Sequence, residues 1–257
     1  MLENKVVVVS GVGPGLGRSL AVRSAANGAD VVLAARNEER LAEVAREVEG
    51  LGRKALVVPT DITDEASAQH LADTALETFG RVDALVNNAF AVPPMTPLTS
   101  VDVADIRPGF ETNVFAALRL SRLFAPSLAE NKGAIVMISS VVIRHSKPPF
   151  GVYKMAKAAL VSLAQSLSSE LGPQGVRVNT VTPGYIWADA LKGGFAYLAE
   201  QRGVPAQQVY DEVAANLDLR RLALPDEVAN AVLFLLSDLA SAITGQNLDV
   251  NGGEFHH

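Results

Sequence analysis

The sequence predicts an α/β fold, a doubly wound parallel sheet of about seven strands with helices on both faces. Three observations predict it. Short valine-rich runs alternate with longer stretches of helical period along the whole chain. The runs are apolar nearly throughout, as strands covered on both sides require. No linker, low-complexity tract or internal repeat breaks the alternation, so 1–257 reads as a single domain.

The elements follow in order. The first strand, Lys5–Ser10, runs into a glycine turn at Ser10–Gly17, which argues against a secretion signal at the N-terminus. Helical period then covers Leu16–Asn27 up to Gly28. Asp30–Ala35 is the second strand, and Asn37 caps a helix over Glu38–Leu51 that stops at Gly52. Ala55–Pro59 is the third, followed by a cap at Thr63 or Asp64, a helix over Glu65–Phe79 and a stop at Gly80. Ala84–Asn87 and Ala134–Ser139 are the fourth and fifth strands, with a helix over Val114–Ala129 between them. A helix over Val152–Leu171, stopped by Gly172, leads to strand Arg177–Val181, helix Asp226–Ser237 and strand Asn247–Val250.

Composition narrows the class. With 257 residues, 49% apolar and 19% charged, the chain is neither disordered nor too small for its own core. It has no cysteine, which removes disulfides, thiol nucleophiles and thiolate metal sites and fits a reducing compartment. The net charge is −6 and the basic residues are scattered, so a nucleic-acid partner is not expected. No apolar run approaches the ~18 residues that span a bilayer, so no membrane partner is expected and the cytoplasm is the default location. The four histidines and the acids show no metal-ligand spacing, and no metal is expected.

Two motifs carry chemistry. Ser10-Gly11-Val12-Gly13-Pro14-Gly15-Leu16-Gly17 joins a strand to a helix, where glycines permit a tight turn and close approach of a pyrophosphate to the helix start. The spacing, Gly11-x-x-x-Gly15-x-Gly17, differs from G-x-G-x-x-G, and a plain glycine turn is the alternative. Tyr153 and Lys157, four apart in a helix pattern, share one face. A cation beside a phenol lowers its pKa and makes it a usable general acid/base. Ser140 closes the preceding strand and Asn113 opens the preceding helix.

With these residues in this order, the whole chain resembles the short-chain dehydrogenase/reductase family in its single-domain form, with a Rossmann-like sheet of order 3-2-1-4-5-6-7. Asp61, Asn87-Asn88-Ala89, Pro183-Gly184 and the tail from Pro225 to Gly253 extend the likeness. The resemblance implies an oxidoreductase that uses NAD(P) to interconvert a small-molecule secondary alcohol and a ketone. Tyr153 would exchange the proton, Lys157 would lower its pKa and hold the nicotinamide ribose, and Ser140 would bond the substrate oxygen. Asn113 would support a water relay to Lys157. Cofactor contacts would come from Gly11, Gly15, Leu16, Gly17, Arg36, Asp61, Ile62, Asn88, Ala89, Tyr153, Lys157, Pro183, Gly184 and Ile186. A homo-oligomer, dimer or tetramer, is implied too.

The cofactor is expected to be NADP, with NAD possible. Ala35 stands where an NAD site carries an acid, and Arg36 offers a charged fork to a 2′-phosphate. Arg36 as a surface residue before a helix cap is the alternative reading. Asp61 has one as well, as a turn residue before Thr63. Phe90, Ala188 and Asn251 depart from the family pattern of glycine, threonine and aspartate, and Ser10 replaces a threonine. His145 either lines the pocket or is simply solvated, His70 has no evident partner, and His256 and His257 are either native or a tag remnant. Residues 185–219, holding Tyr185, Trp187, Phe195, Tyr197 and Tyr210, are expected to form a lid over a bulky apolar substrate, unless those rings only pack the lid onto the body. A β-ketoacyl thioester reductase and a catalytically silent dinucleotide-binding module are the rival readings. The lid acids Asp189, Glu200, Asp211, Glu212 and Asp218 outnumber its bases, a poor match for an acidic carrier.

Overall fold

The computed structural model describes residues 1–256, and His257 lies outside the described residues. Seven parallel strands stand in the order β3-β2-β1-β4-β5-β6-β7. They are β1 (Val6–Ser10), β2 (Asp30–Ala35), β3 (Ala55–Pro59), β4 (Ala84–Asn87), β5 (Ala134–Ile138), β6 (Arg177–Pro183) and β7 (Asn247–Val250). Compared with the expected bounds, β1 and β5 are each one residue shorter and β6 reaches two residues further, to Pro183.

The valine runs serve two cores because successive side chains of a strand point to opposite faces. Val7 and Val9 pack with Leu20 of α1 (Leu16–Ala26), Leu41 of α2 (Glu38–Gly50) and Val232 of α9 (Pro225–Leu236). Val6 and Val8 face Leu71 of α3 (Glu65–Phe79), Phe124 of α5 (Ala116–Glu130) and Leu160 of α6 (Gly151–Leu171). Asn37 caps α2 and Asp64, rather than Thr63, caps α3. Gly28, Gly52 and Gly80 have positive φ at helix ends as expected. Gly172 does not: its φ of −53° is right-handed, the chain continues through a tight turn, and Gly175 takes the left-handed position.

Two regions correct the sequence reading. Asn113 does not open a helix. It sits inside a π segment, Glu111–Phe115, between α4 (Val103–Phe110) and α5. The interior Pro108 and Gly109 hide α4 from a propensity reading. Residues 185–219 contain two helices, α7 (Asp189–Arg202) and α8 (Ala206–Ala214). Their rings pack on one another, with Trp187 5.6 Å from Phe195 and 4.8 Å from Tyr210 between centroids. Only Tyr197 of the five is left largely exposed.

Candidate active site

The expected site residues other than Arg36, Asp61 and Ile62 gather at the carboxyl edge of β1, β4, β5 and β6, and those three stand past the neighbouring ends of β2 and β3. The sheet order reverses between β1 and β4, which opens a crevice there. Gly11 has a φ of +90°, and a Cβ on it would collide with the Ala89 backbone. Asn88 donates from Nδ2 to the Gly11 carbonyl at 2.7 Å, locking the two loops together. A Cβ on Gly17 would strike the Gly11 carbonyl. These two glycines hold the turn, whereas Gly13 faces open space and Gly15 lies under the Ala188 methyl. No side chain caps the start of α1 at Gly15 and Leu16, and its first turn carries no acid. Its free N–H groups suit a phosphate.

Arg36 is exposed at the end of β2. Asp61 accepts from the backbone N–H of Thr63 at 3.0 Å and its hydroxyl at 2.7 Å. Those bonds, with a smaller pull from Arg36, hold its carboxyl below the usual range. The turn role weighed for Asp61 is therefore present in the fold. Ile62 is buried and Ile186 is bridged to Ala223. Gly184 donates to the Val250 carbonyl at 3.0 Å, keeping Pro183-Gly184 against β7. The buried Ser10 Oγ and Asn113 Oδ1 lack partners and line one crevice with Asn87, Ala89 and Thr112. An open glycine cradle beside orphaned polar atoms fits a polar dinucleotide laid across β1 and β4.

Ser140, just past β5, lies near Tyr153, on the first turn of α6, and its Oγ accepts from the Val142 N–H at 3.3 Å. Burial holds the Tyr153 phenol above its ordinary value, and the neighbouring Ser140 hydroxyl offsets this in part. Lys157, one turn on, is buried and donates from Nζ to the Ile138 carbonyl at 2.8 Å. Its Nζ lies 6.0 Å from the Tyr153 ring centroid and 5.8 Å from that of Phe90. The expected lowering of the phenol by Lys157 is thus not present in this arrangement, because burial pushes the ammonium itself down to about 7. Asn113 Nδ2 donates to the carbonyls of Ala91 and Gly109, both at 2.8 Å.

The depressed Lys157 has a measurable consequence. Between about 7 and the ordinary 10.5 the unfolded chain binds one proton more than the native chain at this residue. Native stability therefore rises with pH across that window. Urea unfolding at pH 7 and pH 9.5 is expected to show an increment of about 2–3 kcal/mol that Lys157→Met lacks. Equal pH slopes in the two proteins would contradict the burial argument.

Sequence reasoning missed several residues at this edge. Arg144 pairs with Asp249 of β7 through bonds of 2.7 and 3.0 Å, tying the loop after Ser140 to the sheet. Arg119 bonds the Ile62 carbonyl and Glu111. Glu254 has a buried Oε2 without a partner and lies near Tyr185. These partners are far apart in sequence, and no spacing rule signals them. His145 lies between the rings of Phe150 and Phe255 at 5.6 and 6.1 Å, and burial lowers its pKa. His70, for which no partner was evident, has the Thr74 hydroxyl 3.5 Å from its ring nitrogen. His256 lies 2.8 Å from Asp218. Among the described residues no His/Asp/Glu group could hold a metal, and no helix is long and apolar enough to cross a membrane.

A family model described as enoyl-(acyl carrier protein) reductase matches residues 11–254. The chain belongs to the short-chain dehydrogenase/reductase family. Among curated members of the family, 7α-hydroxysteroid dehydrogenase of Escherichia coli strain K12 is 35% identical over 253 residues, which is 98% of this chain and 94% of that protein. A solved structure of a 7α-hydroxysteroid dehydrogenase, complexed with NADH and 7-oxo glycochenodeoxycholic acid, superposes with a TM-score of 0.88. It is 36% identical and covers 98% of this chain and 94% of its own. L-sorbose reductase from Gluconobacter frateurii, complexed with NADPH and L-sorbose, gives a TM-score of 0.93 at 29% identity, covering 100% and 98%. The short-chain dehydrogenase/reductase sheet, from the glycine turn to β7, is thus present throughout this chain.

Proposed function

We propose that the protein is an NAD(P)-dependent oxidoreductase that interconverts a secondary alcohol and a ketone. The observation that carries this is Ser140 beside Tyr153, with Lys157 one helical turn on and buried at 2.8 Å from the Ile138 carbonyl, past the end of β5. A bound nicotinamide dinucleotide supplies or accepts the hydride. Ser140 donates a hydrogen bond to the substrate oxygen while charge develops there. Tyr153 gives its proton to that oxygen in reduction and takes it back in oxidation. Lys157 holds the nicotinamide ribose hydroxyls, and Asn113 supports a water relay behind it. The other expected contacts, from Gly11 to Ile186, form the floor for the dinucleotide.

The four-residue spacing of Tyr153 and Lys157 favours carbonyl chemistry over the wider spacing of the related enoyl reductases. We read residues 1–257 as one catalytic domain, with 185–219 as a lid over a bulky, largely apolar substrate. The small separate core around Phe195, Val209 and Ala214 of that segment supports movement as a unit. NADP is the cofactor we favour, and a cytoplasmic homo-oligomer, dimer or tetramer, completes the reading. The exposed apolar Phe115 and Met155 support self-association.

A panel of ketones of increasing size, followed by nicotinamide absorbance with both cofactors, tests the substrate reading. Burying apolar area is worth roughly 25 cal/mol per Å², so kcat/KM is expected to rise from acetone-sized to alicyclic ketones. A flat or falling series would refute the bulky apolar substrate. No turnover of any ketone would refute the activity.

A further inference from the structure

The side chain of Arg119, on α5, reaches three ways. Nη1 donates to the backbone carbonyl of Ile62 at 2.9 Å, and Nη2 donates to Glu111 Oε1 at 2.9 Å. Nε lies 3.9 Å from the exposed carboxylate of Glu65 at the start of α3. Ile62 belongs to the loop after β3 that also holds Asp61, at the far edge of the sheet from Ser140. Glu111 is the first residue of the π segment that presents Asn113. The guanidinium is mostly shielded, with a side-chain exposure of 20%. A planar fork with several donors can hold two such acceptors at once in a fixed relation, which an ammonium cannot do equally well.

Asn113 has reason to need a brace. Its π segment departs from the α-helical bond pattern, and such a bulge within a helix is commonly found at functional sites. Its Oδ1 has no partner to fix it. The carbonyl of Ile62, in turn, lies past the end of β3, where the ladder no longer pairs it.

We infer that Arg119 is a positioning residue that couples the adenine-side loop at Asp61-Ile62 to the π segment carrying Asn113. This rests on the proposed function, which counts Asp61 and Ile62 among the dinucleotide contacts, here taken as its adenine end, and sets Asn113 behind Lys157. The strut has two separable ends. Cutting it at the guanidinium releases both the loop and the segment, whereas cutting it at Glu111 releases the segment alone.

The test uses the full-length protein with Arg119→Met, Arg119→Lys and Glu111→Ala. It reads kcat on a ketone that the wild type reduces and the Kd of ADP-ribose, a probe with the adenine half but no nicotinamide. Arg119→Met is expected to weaken ADP-ribose about tenfold and to lower kcat about tenfold, the scale of one lost charge-assisted hydrogen bond. Arg119→Lys recovers part of the binding. Glu111→Ala lowers kcat and leaves the ADP-ribose Kd within twofold, so it carries the test if Arg119→Met fails to fold. The inference is overturned if Arg119→Met keeps both quantities within twofold, or if Glu111→Ala weakens ADP-ribose while sparing kcat. Loss of thermal stability with both readouts intact would assign Arg119 a purely structural role and overturn it as well. A wild type that neither binds ADP-ribose nor turns over any ketone would instead defeat the proposed function.

Discussion

Tyr153→Phe is expected to lower turnover by about two to four orders of magnitude, the range of general acid/base assistance. The substitution keeps the ring and its half-buried setting on α6, and removes only the hydroxyl that neighbours Ser140. Cofactor affinity should change no more than a few-fold, because the glycine turn and the strand ends remain in place. Burial holds this phenol above its ordinary value, so at neutral pH it is protonated and ready to donate. Reduction should therefore hold steady through neutrality, while alcohol oxidation, which needs the phenolate, should climb toward alkaline pH. A Tyr153→Phe enzyme keeping more than about a tenth of wild-type kcat would remove the residue from the proton path.

Cofactor choice carries the second large effect. Arg36 stands exposed at the end of β2, next to the end of β3 where Asp61 is engaged by Thr63. Arg36 contributes to the lowered pKa of Asp61, so its charge reaches from the end of β2 to the end of β3. A charge-assisted hydrogen bond of about 1.5–3 kcal/mol converts to roughly 10–150-fold discrimination in favour of the 2′-phosphate. Arg36→Ala should cost that factor with NADP and little with NAD. Ala35→Asp should reverse the preference by placing a carboxylate against the phosphate. Wild-type kcat/KM equal or higher with NAD would show that Arg36 does not read the phosphate.

The parts of the fold that were legible are those where one residue type has one physical use. The apolar runs of β1 and β2 are fully valine, leucine and alanine at their centres because both faces are covered, and their bounds could be read almost to the residue. Asn37 and Gly80 announce helix ends by chemistry that works locally. The π segment at Asn113 was not legible, because tertiary packing stabilises it against Pro108 and Gly109 in the preceding turn. Nor was α7, whose interior carries Gly193 and Gly194 and whose buried Phe195 and Ala199 share a core with Val209 of α8. At the site, the residue types of Ser140, Tyr153 and Lys157 could be read but not their electrostatics. The proton affinity of Lys157 depends on how deeply α6 packs against β5, which no spacing encodes.

The strand order also bears on how the chain assembles as it is synthesised. β1 lies in the middle of the sheet, flanked by β2 and β4. Every later strand pairs with one made before it: β2 on β1, β3 on β2, β4 back on β1, then β5, β6 and β7 outward in turn. A nascent chain leaving the ribosome therefore always has a finished edge for the next strand. The return from Thr180 of β6 to Asn247 of β7 is long, and that from Val7 of β1 to Ala84 of β4 is longer. That return is the step with the largest loop-closure entropy, and it brings Ala89 against Gly11. The glycine turn is thus seated against β4 early, and the half of the chain that carries Ser140, Tyr153 and Lys157 is laid down on a template that already exists.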